Sequence, residues 1–220
     1  MGPRAWCSRR AQRVGRTLAG VARTAFPSDP SGFVDPPWNT PLDVQSVIRA
    51  IPESATIAGM YLEPLVREAR RLGRSLPSAR QRYVAFQFYP LREHVTVLVE
   101  GTQALFPELS MREALRKLGR GAPRALVQTT LGKIVLGSTE GVLQSLDAIV
   151  KTYNTNIKPA RAETIESSTH GAIVRLERVP FLLDSHHVGV FEGSMSYAGV
   201  RGTVKVRMRG ADAADFLCEW

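Results

Sequence analysis

The hydrophobic period of this chain changes at Pro159, and that switch constrains the fold more than any other feature of its 220 residues. Before it, apolar residues recur every three to four positions. Leu62, Leu65, Val66, Ala69 and Leu72 share one helical face, which Arg67, Arg70, Arg71 and Arg74 avoid. Val95, Leu98, Val99, Thr102 and Leu105 make a second stripe. Val142, Leu143, Leu146, Ile149, Val150 and Tyr153 make a third, over Glu140–Tyr153. After Pro159 the period is two. Thr164–Thr169 and Ala172–Val179 flank a predicted hairpin turn at His170-Gly171. Thr203–Arg209 sets Val204, Val206 and Met208 against Thr203, Lys205, Arg207 and Arg209, and Phe216, Cys218 and Trp220 alternate likewise. Segregation of this kind reads as α+β: a helical N-terminal half followed by a twisted antiparallel sheet, with one Gly-rich helix inserted before the last strands.

Local punctuation supports the helices. Gly73 suits a C-cap. Ser78 with Gln81, and Ser110 with Glu113, have the spacing of capping boxes. Pro90 and Pro123 each suit a first helical position. Asp184 is a good N-cap for the inserted helix.

Charge divides the chain differently. Residues 1–25 carry six arginines and no acid, so the net charge of +9 falls to +3 without them. Prolines 27, 30, 36, 37 and 41 follow, among Ser, Asp and Gly, and make a linker or a surface strap in which Phe33 and Trp38 can dock. Residues 1–41 are therefore read as a basic, Pro-rich arm and linker, and 42–220 as a single domain. Leu18–Ala22 is too short for a signal-peptide core of about 7–15 apolar residues, and no run of about 20 apolar residues spans a membrane. Two cysteines near opposite ends, Cys7 and Cys218, make no disulfide framework. The expectation is a cytoplasmic chain.

The inserted helix is unusual on one face. Val188, Phe191 and Met195 form a bulky stripe, and Gly189, Gly193 and Ser196 a small one. Each helical glycine costs about 1 kcal/mol relative to alanine, so something must approach closely: a neighbouring helix, or a ligand or partner chain. Glu192 lies beside that face. It reads either as a solvated or surface-paired acid, which the sequence favours, or as a buried acid with Arg175 or Arg178 as partner.

Enzyme chemistry finds no foothold. There is no Gly-x-Ser-x-Gly elbow, and neither cysteine carries a nucleophile signature. Glu163, Glu166, Glu177 and Glu192 have no spacing that implies paired acid–base work. Gly132–Ser138 has its lysine in the wrong place for a phosphate loop. His186 and His187 are adjacent and diverge by about 100° on a helix, so they chelate poorly. His94 and His170 stand alone in the sequence, and no metal site is expected.

The segments GMYLEPL, RYVAFQFYPL, LRKLGR, GKIVLGS, PFLLD and HHVGVFEGSM, with the terminal Trp220, resemble an uncharacterised paralogous family found in myxobacteria, over roughly residues 42–220. That resemblance implies a boundary and little chemistry. More loosely, the order of elements is similar to the haem-based nitric-oxide-sensing domain and to the small-ligand and Golgi-transport group. The haem group places its iron-ligating histidine late in the helix before the sheet, followed by a Tyr-x-Ser-x-Arg clamp. Here that helix ends in Tyr153, and Arg178 alone stands for the clamp. No cofactor is expected, haem included.

Two functional readings follow. The first is a non-enzymatic sensor or adaptor that binds a small apolar molecule or a protein partner at Tyr153, Arg178, Gly189, Glu192, Gly193 and Ser196, with homodimerisation through the same face as a variant. The alternative is an electrostatic nucleic-acid binder using the arm and Arg67, Arg70, Arg71 and Arg74. Arg112, Arg116, Lys117, Arg120 and Arg124, and the strand face of Lys205, Arg207 and Arg209, extend that basic surface.

Overall fold

The computed structural model describes residues 26–128 and 140–220. The arginine arm of residues 1–25 and the Gly132–Ser138 stretch lie outside the described residues. The chain runs α1 (Val44–Ala50), β1 (Thr56–Ala58), a 3-10 turn (Gly59–Tyr61), α2 (Glu63–Arg71), β2 (Phe88–Pro90), α3 (Leu91–Leu105) and α4 (Met111–Val127). It continues through α5 (Val142–Asn156), β3 (Ile157–Lys158), β4 (Arg161–Ser167), β5 (Gly171–Glu177), α6 (His186–Tyr197), β6 (Thr203–Met208) and β7 (Ala214–Glu219). It is an α+β fold, with α6 the Gly-rich helix inserted between strands.

The main sheet is antiparallel throughout, in the order β4-β5-β7-β6. β5 and β7 are central and buried along almost their whole length, because helices cover one face and an ion-pair cluster the other. Asp215 on β7 is fully buried in that cluster, with Arg175 at 2.8 Å, Arg207 at 3.0 Å and Arg209 at 3.5 Å. Burial opposes the charge on Asp215, but its arginine hydrogen bonds outweigh this and hold its pKa below the ordinary value. The basic strand face read from the sequence is therefore largely neutralised: Arg207 and Arg209 pair with Asp215, and Lys205 with Glu219. Met208, read as a core position, is about half exposed at the end of β6, whereas Val204 and Val206 are buried.

Residues 26–41 lie across this sheet. Ser28 donates to Glu166 on β4 at 2.8 Å from both its amide and its hydroxyl. Val34 pairs with Val206 on the outer side of β6. The Arg207 guanidinium covers the Phe33 ring at 4.4 Å, and Arg116 covers Trp38 at 4.0 Å.

In the helical half, the Ser110–Glu113 capping box forms, and Gly73 takes its left-handed conformation after α2 at φ +66°. Other expectations are corrected. Two three-residue strands, β1 and β2, interrupt the helical period and join β3 in a small sheet of order β2-β1-β3. Ser78 caps no helix; its amide and hydroxyl bind Glu100 instead. Pro123 sits inside α4 rather than at a helix start, where it cannot donate to the preceding turn. Ser185, not Asp184, is the N-cap of α6; Asp184 forms an ion pair with Arg112.

Candidate functional site: a histidine-lined cavity among the helices

Helices α4 and α6 pack as closely as backbone permits. A Cβ on Gly189 would lie 2.0 Å from the Arg116 carbonyl oxygen, and one on Gly193 would lie 2.4 Å from that of Arg120. α4 returns the fit: a Cβ on Gly119 would lie 2.1 Å from the His186 carbonyl oxygen. The small face of α6 is thus filled by a neighbouring helix. Gly189 and Gly193 offer no open surface to a ligand or partner chain, and Ser196, one turn on, is exposed to solvent.

Glu192 seals the same interface. Its side chain is 6% exposed, and it accepts from Arg116 and from Arg120 at 2.7 Å. The acid is therefore buried, against the solvated or surface-paired reading, and its partners come from α4 rather than being Arg175 or Arg178. Arg112, Arg116 and Arg120, grouped by the sequence into a basic surface, are consumed by Asp184 and Glu192. Arg67, Arg70, Arg71 and Arg74 are exposed, but Arg71 pairs with Glu68 and Arg70 donates to the Arg80 carbonyl.

Behind this seam the helices leave a cavity of about 290 Å³. Ile57, Met60, Leu65, Leu98, Ile149 and Val190 give it apolar walls from β1, the 3-10 turn, α2, α3, α5 and α6. Glu68 and Lys117 also border it, and Lys117 lies over the Phe106 ring at 4.3 Å. The other polar side chains that line it are Tyr61, His94, Thr152, Tyr153, His186 and His187.

The fold, not the sequence spacing, brings the histidines together. His94 comes from α3, and His186 and His187 from the first turn of α6. Phe181 stands between, its ring centroid 4.6 Å from that of His187 and 5.9 Å from that of His94. All three imidazoles are buried, and desolvation holds each below its ordinary pKa. His94 is pushed down to about 3 with help from His186, and His186 to about 4 despite a hydrogen bond with the Leu115 backbone. His187 lies well below its ordinary value, from burial first and then from the other two rings, against a backbone interaction with Phe181. All three are neutral at pH 7. Tyr153 Oη lies 2.5 Å from His187 Nδ1, and burial raises that phenol well above its ordinary pKa, as it raises Tyr61 to about 12. His94 Nδ1, His186 Nδ1 and His187 Nε2 have no hydrogen-bond partner among the described residues.

Of the six residues assigned to ligand or partner binding from the sequence, Tyr153 alone lines the cavity. Arg178 is exposed just after β5, at a left-handed φ of +55°. Sequence spacing does not reveal His94 and the His186–His187 pair as one group, because they come from α3 and α6, far apart in the chain.

Solved structures with a similar arrangement include H-NOX domains. An Fe(II) unliganded H-NOX protein from K. algicida is 10% identical, with a TM-score of 0.54 over 74% of this chain and 96% of that one. An H-NOX structure from work on haem distortion gives 0.58 at 11% identity, over 74% and 95%. The S. oneidensis H-NOX protein in its Fe(II)NO state gives 0.51 at 12%, over 70% and 87%. At such identities the likeness defines the fold. By sequence, residues 52–220 match the family described as "Protein of unknown function (DUF2378)", and the chain belongs to that family. Comparison with curated proteins gives no match.

The residues present do not fit a haem. The late position in α5 is held by Tyr153, whose phenol is engaged by His187. Arg178 points to solvent rather than to the cavity, and no arginine borders the cavity to meet the carboxylates of a porphyrin. Among the described residues, no group of three His, Cys, Asp or Glu side chains is placed to hold a metal ion, and no helix is long and apolar enough to cross a membrane.

Proposed function

We propose that this domain is a non-enzymatic, cytoplasmic sensor module that holds a small, largely apolar molecule in the cavity among α2, α3, α4, α5 and α6. One observation carries the reading: a void of about 290 Å³, apolar on most sides, with three buried histidines and two tyrosines among the residues that line it. Ligand sites have this character, concave and apolar with a few convergent polar groups, and begin at roughly 300 Å³. The fold lends support at the level of class only: the similar H-NOX structures are described by their haem or its iron, and this chain lacks the ligating pattern that the resemblance implies. Occupancy would be felt at α6, which contributes both histidines and the buried Glu192 clasp to α4. That gives the module a route from ligand to surface.

Among the described residues, no observation favours nucleic acid. The arginines of α2 are exposed, Arg71 being paired with Glu68, and others are committed to Asp184, Glu192 and Asp215; those of the arm lie outside the described residues.

Native mass spectrometry of the full chain, read against its denatured mass, tests the proposal together with thermal shift. Excess mass in the native species, lost in an Ala122→Phe variant that plugs the cavity wall but still melts cooperatively, is the expected result. A bare native mass, together with no shift from a panel of apolar molecules of about a dozen non-hydrogen atoms, overturns it.

A further inference from the structure

We infer that the turn Val84–Gln87 and the start of β2 dock on an anionic phospholipid surface, with Phe86 and Phe88 entering the headgroup region and Arg70, Arg74 and Arg82 meeting the phosphates. The inference does not depend on the cavity.

The turn displays apolar side chains that the fold leaves uncovered. Val84 is 47% exposed, Phe86 69% and Phe88 43%, and Phe86 is the most exposed large apolar side chain among the described residues. Three such side chains within five positions make a patch. The other exposed large apolar residues, such as Leu143 and Ile165, are scattered along the chain, as is usual for a protein surface.

The patch is held in place rather than frayed. The Gln87 amide donates to the Val84 carbonyl at 3.1 Å and closes the turn. The Gly59 and Met60 amides donate to the Gln87 and Ala85 carbonyls at 2.8 and 3.1 Å, and the Val84 amide donates to Tyr89 Oη at 2.9 Å. A Cβ on Gly59 would lie 2.3 Å from the Val84 carbonyl oxygen, so the seat of the turn requires glycine. Along β2, Tyr89 is buried while Phe88 beside it is not.

Unneutralised arginines border the turn. Arg82 precedes Val84 by two residues. Arg70 donates to the Arg80 carbonyl at 3.0 Å, which brings the end of α2 to the same loop, and the Arg80 guanidinium lies 5.1 Å from the centre of the Tyr89 ring. Arg71 pairs with Glu68 and Arg80 with Glu93. Arg70, Arg74 and Arg82 form no ion pair among the described residues, and all three are exposed.

That charge selects the occupant. A second copy would bring like charge against like, in a chain of net charge +9. A stable protein partner covers roughly 800 Å² on each side, more than one turn presents. Nucleic acid would use the arginines and the rings but leave Val84 without a role. An anionic bilayer takes both parts, apolar side chains at the boundary of headgroups and acyl chains and arginines near the lipid phosphates. Such a domain lies on the membrane, which needs no spanning helix.

Co-sedimentation of the full chain with vesicles tests this, using phosphatidylcholine alone and phosphatidylcholine with roughly a third phosphatidylglycerol. Binding to the mixed vesicles at least tenfold tighter than to phosphatidylcholine alone is expected. Phe86→Ser with Phe88→Ser keeps every charge, those of the arm included, and should weaken binding to mixed vesicles about tenfold. Arg74→Gln with Arg82→Gln should cost roughly fivefold per arginine. Circular dichroism checks each variant, and Phe86→Ser alone serves should the serine pair not fold. Unchanged affinity of the serine variant means that charge alone binds the vesicles, and overturns the turn as a membrane contact. Equal binding to both vesicles overturns the anionic surface, and binding to neither overturns the whole inference. A serine variant that instead lowers the sedimentation mass of the chain without vesicles assigns the patch to a second copy. One that weakens binding of a thymidine oligonucleotide but not of vesicles assigns it to base stacking. Either result also overturns the proposal.

Discussion

Tyr153 on α5 and His187 on α6 are joined by a 2.5 Å contact from Oη to Nδ1, in a place where neither side chain reaches water. The pair ties the helix before the sheet to the helix inserted within it. Tyr153→Phe keeps the ring and removes the hydroxyl that meets His187 Nδ1. The expected cost is about 1–3 kcal/mol in urea unfolding. A Tyr153→Phe protein as stable as the parent would show that the contact contributes nothing.

The glycine seam predicts an asymmetry among three alanine substitutions. Gly189→Ala and Gly193→Ala drive a methyl into the α4 backbone, which cannot yield as a side chain can, and each should cost about 3 kcal/mol. Gly121→Ala, on α4 with open space at its Cβ position, should instead stabilise by about 1 kcal/mol through helix propensity. Calorimetric melting of the three variants checks the order. Equal effects would mean that the seam is looser than described.

Removing opposite ends of the Glu192 clasp should not be equivalent. Arg116→Ala with Arg120→Ala strands a carboxylate in the interior, at a cost of about 3–5 kcal/mol. Glu192→Gln leaves two guanidinium groups that are already 29% and 53% exposed and can reach water, so its cost should be smaller. Urea titrations of both variants settle the ranking, and a costlier Glu192→Gln would contradict it.

Acid should weaken the fold before any carboxylate titrates. The folded pKa values of His94 and His186 are lowered to about 3 and about 4, so below pH 6.5 the unfolded chain takes up protons that the folded chain refuses. The stability these rings confer is complete above their unfolded pKa and is lost as pH falls toward the folded values. At pH 5 each accounts for roughly 2 kcal/mol. Urea midpoints should fall between pH 7 and pH 5, and His94→Phe should reduce the slope. A flat profile over that interval would show that the rings are solvated.

The large-scale pattern was legible because it is repetitive. The change of period at Pro159 marked the sheet, the spacing within Gly189–Ser196 marked the close-packed helix, and Ser110–Glu113 marked a helix start. Strands of three residues such as Thr56–Ala58 and Phe88–Pro90 are too short to show a period of two, so β1 and β2 were absorbed into their helical surroundings. Ser78 had the right neighbour at three residues but found Glu100, twenty-two positions away, which no local pattern encodes. The cavity was least legible of all. It depends on residues from five helices, His94 and the His186–His187 pair among them, meeting through tertiary packing. Glu192 was misjudged for a related reason: whether an acid is solvated depends on the helix across from it, and α4 lies more than sixty residues away in sequence.

The strap of residues 26–41 has a consequence beyond the packing of its aromatic rings. β6 is the last strand of its sheet, and an edge strand presents open donors and acceptors to which another chain can add. Val34 exchanges backbone hydrogen bonds of 3.0 and 2.9 Å with Val206 at that edge, and Arg207 reaches from β6 to Asp29 and the Ser31 carbonyl. The approach to the domain thus serves as its own guard against self-association. A chain trimmed to begin at residue 42 keeps its helices and its cavity but loses that guard, and its solubility should suffer before its melting temperature does.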